Sequence, residues 1–263
     1  MRLPDLATPS HGDIHVWHVA ADAPVDPAVL SAVLSADEHA RAAAFRQAAD
    51  RNRFAAARTA LRTLLGGCLG LPPADVPLAA NAFGKPVLAT GSQEPPLHFN
   101  VSHSGARAVI ALSRVPVGID IEAWRAGMAW ADWRDSAAVA CAPDEMHWLA
   151  GLAQRQPEHA MLGFLRLWTA KEACSKAVGT GLSAPPHAVR VALPGSAECV
   201  PPLARAGTGV WYLHDAGGGP RYVACLATPL AAVRVMQRQY PSRSVSQPSI
   251  QSLQSTPLYN ALR

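Results

Sequence analysis

The run Val117-Gly118-Ile119-Asp120-Ile121-Glu122 alternates without a break. On a strand, successive side chains point to opposite faces, so Val117, Ile119 and Ile121 share one face and Gly118, Asp120 and Glu122 the other. The two carboxylates then lie about 7 Å apart along one face. Like charges so placed repel, and a hard divalent cation relieves that repulsion. Mg²⁺ suits a site of few carboxylates plus substrate phosphates. Taken alone, the pattern is better accounted for by an exposed strand face with two solvated acids.

A second motif has helical spacing. Leu167, Ala170, Cys174 and Val178 form an apolar stripe, while Trp168, Glu172 and Lys176 fall on another face, flanked by Lys171. Glu172 and Lys176 by themselves read as a surface pair worth a few tenths of a kcal/mol. Composition argues for more. Of 23 basic residues, 20 are Arg and only Lys85, Lys171 and Lys176 are Lys. Two of these three lie within six residues here. Lysine differs from arginine as a compact ammonium that shifts its pKa and donates a proton. Lys85 sits in the turn Ala82-Phe83-Gly84-Lys85-Pro86. In Phe99-Asn100-Val101-Ser102-His103-Ser104-Gly105, a strand runs into a polar turn. Adjacent strand residues point opposite ways, which argues against a Ser102–His103 nucleophile pair, and no G-x-S-x-G elbow exists. As loop groups, a hydroxyl and an imidazole suit phosphate.

The net charge of +4 is local. Between Arg41 and Arg62 lie six arginines and one acid, Asp50, giving +5 and leaving the remaining chain at −1. The 263 residues suffice for one large domain or two modest ones with a real core. With 16% charged and 49% hydrophobic residues, the composition excludes a disordered polyelectrolyte. No apolar run reaches the roughly 18 residues of a membrane span, and Met1 to Asp13 has no apolar signal core. Five cysteines without C-x-x-C read neither as a disulfide frame nor as a zinc site, so a reduced cytoplasm is expected.

The pattern predicts strands at 14–20, 97–101, 107–112 and 117–121, then short strands near 188–193, 210–214, 222–227 and 231–236. Helices are expected after Asp26-Pro27, after the Ser35–Glu38 capping box, in a long run capped by Asp50 and reaching about Leu69, and over 143–153 and 157–178. Ala123 to Arg134, with three tryptophans, reads as a variable segment. A weak internal repeat aligns 54–67 with 168–181 and Leu71-Pro-Pro with Ala184-Pro-Pro; a common helix–Gly–Pro ending explains it as well as a true repeat does. The chain divides into an expected N-terminal lobe at 1–115, a C-terminal lobe carrying the metal site at 116–237, and a Ser-, Gln- and Pro-rich tail at 238–263 that reads as disordered.

The ordered set Gly84-Lys85-Pro86, Asn100-x-Ser102-His103-Ser104, Val117-Gly-Ile-Asp120-x-Glu122 and Trp168-x-x-Lys171-Glu172-Ala-x-x-Lys176 resembles the 4′-phosphopantetheinyl transferases of the surfactin-synthetase-activating (Sfp) type, over roughly residues 13–235. The resemblance implies an α+β fold of two pseudo-symmetric lobes with the active site at their interface. It implies an enzyme that moves phosphopantetheine from coenzyme A to a serine of an apo acyl or peptidyl carrier protein, releasing adenosine 3′,5′-bisphosphate. By matching position, Asp120, Glu122 and Glu172 are similar to the family's magnesium ligands, with water completing the shell because Ile121 offers no side-chain oxygen. Glu172 is then the base and Lys176 the group that neutralises or protonates the leaving phosphate. Lys85, Ser102, His103 and Lys171 become coenzyme A contacts, with Arg41 and Arg53 on nucleotide phosphates. Glu145 matches a weaker family acid, and the Trp124–Trp133 segment is a departure from the family pattern to which the resemblance assigns no role. A monomer that binds neither nucleic acid nor membrane is expected.

Two other readings compete. A nucleic-acid binder built on Arg41–Arg62 leaves the acid and lysine motifs idle and has only Phe45 and Phe54 to interleave. A magnesium phosphohydrolase would use the same carboxylates without a carrier.

Overall fold

The computed structural model describes residues 7–89, 97–124, 127–179, 184–193, 203–206 and 209–241. In chain order these form β1 (Asp13–Ala20), α1 (Pro27–Val33), α2 (Ala36–Ala44), α3 (Ala48–Leu69), β2 (Leu78–Ala80), β3 (Pro86–Leu88), β4 (His98–Ser104), β5 (Arg107–Ser113), β6 (Gly118–Ala123), α4 (Trp130–Ala140), α5 (Pro143–Arg155), α6 (Pro157–Val178), β7 (Arg190–Val191), β8 (Leu203–Ala206), β9 (Gly209–Asp215), β10 (Tyr222–Thr228) and β11 (Arg234–Gln239). The class is α+β, as expected. One sheet has the order β11-β1-β5-β4, a second β6-β10-β9-β8-β7, and β2 and β3 form a hairpin.

Alternation along the strands sets the layers. On β1 and β5, Trp17, Val19, Ile110 and Leu112 face α3, where Leu61, Leu64 and Leu65 meet them. The opposite face, Ile14, Val16, Val109 and Ala111, packs on Val117, Ile119 and Ile121 and on Ala224 and Leu226 of β10. The far side of β10 carries Cys225 and Ala227, which bury Leu167, Ala170, Ala173 and Cys174 of α6. The order is therefore helix, sheet, sheet, helix. Full burial of a leucine such as Leu64 contributes about 1.5–3 kcal/mol.

Local signals place several helix ends. Asp26 accepts the Ala28 N–H and Pro27 opens α1. Ser35 and Glu38 form the expected capping box of α2. The helices α3 and α6 both stop at a glycine in the left-handed region, Gly70 (φ +69°) and Gly179 (φ +80°).

The structure corrects several expectations. Asp50 does not cap α3; the helix begins at Ala48, and Asp50 sits in its first turn beside Arg53. The end of the stretch read as variable, residues 130–134, opens α4, whose Trp130 and Trp133 pack on Phe164 of α6 at 6.2 Å each. The four-residue strand β8 has no alternation long enough to flag it. The largest difference is β11. It pairs in parallel with β1, Asp13 opposite Arg234, and Tyr240 N–H donates to His18 O. The chain thus returns from the second sheet to the edge of the first, and a boundary at residue 237 falls inside a strand. The expected disorder of the tail lies, from residue 242 onward, outside the described residues. Among the described residues no helix is long and apolar enough to cross a membrane.

Candidate functional site

The polar face of β6 turns toward α6, and Gly118 is what lets the helix in. A Cβ built there would lie 1.9 Å from the Ala173 carbonyl oxygen, 2.5 Å from the Ala177 nitrogen and 2.9 Å from the Ala177 Cβ. With backbone thus against backbone, Asp120 and Glu122 on the same strand face meet Trp168, Glu172 and Lys176, one helical row on α6. Ser102 and His103 of β4 complete a cavity of about 240 Å³ bounded by these seven side chains and Val101. The spacing read from the sequence, period 2 on the strand and period 4 on the helix, is therefore the spacing of the cavity wall.

The strand β4 joins this wall through side chains. Among the described residues it pairs only with β5, and β6 only with β10, yet Asn100, Ser102 and Ser104, at every second position, bridge the two edges. Asn100 Oδ1 accepts the Ile119 N–H at 2.8 Å, Ser102 Oγ the Ile121 N–H at 3.4 Å, and Ser104 Oγ the Ala123 N–H at 3.0 Å. The hydroxyls also donate: Ser102 to Asp120 Oδ1 at 2.7 Å and Ser104 to Glu122 Oε2 at 2.8 Å. Lys176 Nζ donates to the same Asp120 oxygen at 2.5 Å and to Ser102 Oγ at 3.0 Å. Ser104 was not singled out by sequence reasoning, although the period-2 run Asn100, Ser102, Ser104 was the available signal.

The electrostatics follow from crowding. Burial, then the Asp120 charge, raises the Glu122 pKa, against hydrogen bonds from Ser104 and Trp168 and the Lys176 charge. Burial and the Asp120 and Glu122 charges raise that of Glu172, against Lys176. His103, exposed at the rim, has its pKa lowered chiefly by desolvation, with the charges of Arg53 and Lys176 adding.

Asp120 is 3% exposed, and its second oxygen, Oδ2, is buried without a hydrogen-bond partner among the described residues. Among the described residues no three His, Cys, Asp or Glu side chains are gathered as a ready-made metal cage. The chemistry of Asp120, Glu122 and Glu172 nevertheless fits a hard cation that takes a few carboxylates and fills its shell with water and phosphate oxygens, and the orphaned Oδ2 is the atom that most needs one.

The structure does not bring every expected residue to the cavity. Lys171 is fully buried on another face of α6, paired with Glu145 at 2.7 Å and donating to the Pro186 and Val189 carbonyls. Glu145 itself accepts the Ala142 and Val191 N–H groups. This corrects the expectation that Lys171 touches a ligand: an ammonium enclosed by a carboxylate and two carbonyls ties together α5, α6 and β7. Lys85 donates to the Lys176 carbonyl at 2.5 Å, at the C-terminal end of α6, and lies outside the cavity wall. Arg53 pairs with Asp50 and donates to Gly105 O at 3.2 Å, behind the turn that follows His103. Arg41 is exposed and stacked on Phe54 at 5.2 Å. Arg58 and Arg62 share Glu38, and Arg62 also donates to the Pro73, Ala74 and Val76 carbonyls.

Comparison with known proteins gives consistent results over both halves. Residues 116–227 match the 4′-phosphopantetheinyl transferase superfamily, and residues 23–114 match the N-terminal region of 4′-phosphopantetheinyl transferases. The 4′-phosphopantetheinyl transferase HetI of Nostoc sp. is 37% identical over 173 residues, 65% of this chain and 70% of that protein. A 4′-phosphopantetheinyl transferase of Bacillus subtilis is 31% identical over 59% of this chain and 65% of its own length. The 4′-phosphopantetheinyl transferase Sfp of Bacillus subtilis strain 168 is 30% identical over 58% of this chain and 68% of its own length.

Proposed function

The chain belongs to the 4′-phosphopantetheinyl transferase family, whose enzymes transfer phosphopantetheine from coenzyme A to a serine of a carrier protein, and from that premise we propose that the cavity between β4, β6 and α6 is where this chain performs the transfer. The observation that carries the assignment is the convergence of Asp120, Glu122, Glu172 and Lys176 on one cavity, made possible by the bare backbone at Gly118.

In the reaction a carrier serine oxygen forms a bond to the pantetheine-side phosphorus. The bridging bond of the pyrophosphate breaks, and adenosine 3′,5′-bisphosphate leaves. Glu172, its pKa raised by burial and neighbouring carboxylates, takes the serine proton directly or through a water; a base with a pKa nearer neutrality than a free carboxylate is better matched to that task. Lys176 holds its ammonium among the carboxylates, where it neutralises the negative charge that grows on the leaving phosphate. Asp120, Glu122 and Glu172 are the residues that would hold Mg²⁺, which supplies Lewis-acid charge to the pyrophosphate when bound. Ser102 and His103 line the side from which the nucleotide phosphates enter, with Arg53 behind them; Arg41 is the exposed cation that reaches the 3′-phosphate. Lys85 serves the site by holding the end of α6.

We place the chain in the Sfp type on the ordered motifs, and read 1–115 and 116–237 as two pseudo-symmetric lobes meeting at the cavity, with β11 exchanged onto the first. Support comes from α3 and α6, 22 residues each, both ending at a left-handed glycine and followed by a 3-10 turn that starts in a Pro-Pro pair. The enzyme acts as a cytoplasmic monomer on an apo acyl or peptidyl carrier.

The test mixes the protein with coenzyme A, Mg²⁺ and an apo carrier and weighs the carrier. The expected result is a gain of one phosphopantetheine, lost with chelator. No gain across a panel of acyl and peptidyl carriers overturns the proposal.

A further inference from the structure

Ser104 lies outside the cavity wall, but it touches one residue of the wall from behind. Its oxygen accepts the Ala123 N–H at 3.0 Å, on the strand that carries Glu122, and its hydroxyl donates to Glu122 Oε2 at 2.8 Å. A serine hydroxyl has a single proton. With its oxygen committed to Ala123, that proton has one charged acceptor, Glu122. The bond therefore helps to set the rotamer of Glu122, together with the one from Trp168, and leaves Oε1 as the oxygen not engaged by Ser104. Two residues earlier on the same strand face, Ser102 makes the equivalent pair of bonds to the Ile121 N–H and Asp120 Oδ1. Ser102, however, also meets Lys176 and borders the cavity, so its loss would change several things at once. Ser104 meets neither Lys176 nor the cavity, and shares the Glu122 carboxylate with a hydrogen bond from Trp168. Asn100, the third member, accepts the Ile119 N–H and marks the ladder as a joint between the two sheets.

We propose that Ser104 is a positioning residue that orients the Glu122 carboxylate within the cavity by donating from a hydroxyl anchored on the Ala123 N–H. The assignment rests on the transferase reading of the cavity. It makes the last residue of β4 part of the machinery without contact to coenzyme A. It also gives the third polar position of Asn100-x-Ser102-x-Ser104 a chemical purpose separate from phosphate binding. Outer-shell hydrogen bonds of this kind typically change metal affinity or activity 10–100-fold when removed.

The experiment measures coenzyme A binding by calorimetry in Mn²⁺ buffer and in chelator, for the wild type, S104A, S104T, E122Q and the S104A/E122Q double variant. S104A is expected to bind about tenfold more weakly in Mn²⁺ and close to wild type in chelator. S104T, which keeps the hydroxyl, should return to within about twofold. In the E122Q background, S104A should add nothing, because Ser104 acts through the carboxylate. A wild-type affinity for S104A in Mn²⁺ overturns the assignment, as does an equal loss in chelator, a failed rescue by S104T, or a further tenfold loss in the double variant. A wild type that binds no coenzyme A overturns the transferase reading and this assignment with it, whereas binding by the wild type with any of the preceding results overturns the assignment alone.

Discussion

Replacing Gly118 by alanine tests the geometry on which the cavity depends. The added methyl would stand 1.9 Å from the Ala173 carbonyl oxygen, whereas ordinary contact begins at 3.4 Å, so strand and helix must separate locally by about 1.5 Å. The obstructing atoms include backbone of α6, and no rotamer change relieves them. Overpacking of this kind costs about 1–3 kcal/mol, and the rigidity of the contact places Gly118→Ala at the upper end. For a chain of this size that lowers Tm by about 6–12 °C, at roughly 2–4 °C per kcal/mol. The domain stays folded, since 3 kcal/mol is less than a typical total of about 5–15 kcal/mol. The effect on chemistry is larger. Glu172 and Lys176 ride on the displaced helix, and a misplacement of 1 Å costs about a hundredfold in rate. The assay follows carrier loading by mass spectrometry, with circular dichroism reporting Tm on the same preparation. Loss of about a hundredfold in kcat/KM with a modestly lowered Tm is expected. A Gly118→Ala variant with wild-type kcat/KM and wild-type Tm would refute the reasoning, because it would mean that α6 does not press on β6 at this point.

Three further outcomes follow from the same structure. Glu172→Gln should lower kcat by about 10²–10⁴-fold, the usual worth of a general base, while melting near the wild-type temperature; turnover above a tenth of wild type would remove it from that role. Lys171→Met leaves Glu145 buried and unpaired, at a cost of about 3–5 kcal/mol, yet its KM for coenzyme A measured at low temperature should match wild type, since Lys171 lies outside the cavity; a selective rise in KM at unchanged stability would reverse that placement. His15 is 4% exposed and its pKa is pushed down to about 4, by burial first and the Arg238 charge second. The unfolded chain takes up that proton near pH 6.5 and the folded chain does not, so the stability is complete above pH 6.5 and is lost as pH falls toward 4. Burial shifts His18 and His214 in the same direction. The urea midpoint should therefore fall between pH 7 and pH 5, and His15→Gln should flatten the slope; a midpoint independent of pH would contradict it.

What was legible in the sequence is what depends on period. The alternation of residues 117–122 requires two faces, and the structure uses both, the apolar one on the first sheet and the acidic one in the cavity. The i, i+4, i+8 row Trp168, Glu172, Lys176 holds for the same reason. What escaped depends on contacts between distant segments. Nothing local in 234–239 announces that this strand pairs in parallel with β1, more than 200 residues earlier. Residues 130–140 lack a side-chain cap and hold their place through the aromatic contacts of Trp130 and Trp133 with Phe164, a tertiary fact no window of sequence contains.

Charge and lysine usage were visible but pointed to a cause different from the one the structure supplies. The +5 segment is not six free cations. Glu38, three residues outside it, pairs with Arg58 and Arg62, and Arg53 is engaged by Asp50, so Arg41, Arg46 and Arg51 are the exposed cations of the six. The scarcity of lysine is equally positional. Lys85 donates to the carbonyl of Lys176, Lys171 is enclosed by Glu145 and two carbonyls, and Lys176 reaches Asp120. All three bind α6 to its surroundings, at its end, its buried face and its cavity face. A compact ammonium with three donors fits between a carboxylate and backbone carbonyls, where a planar guanidinium needs a wider fork. The lysines that looked like contacts for one ligand are, in two cases of three, what holds in place the helix that carries Glu172 and Lys176. Their substitution should therefore act on kcat through the position of α6 before it acts on coenzyme A affinity.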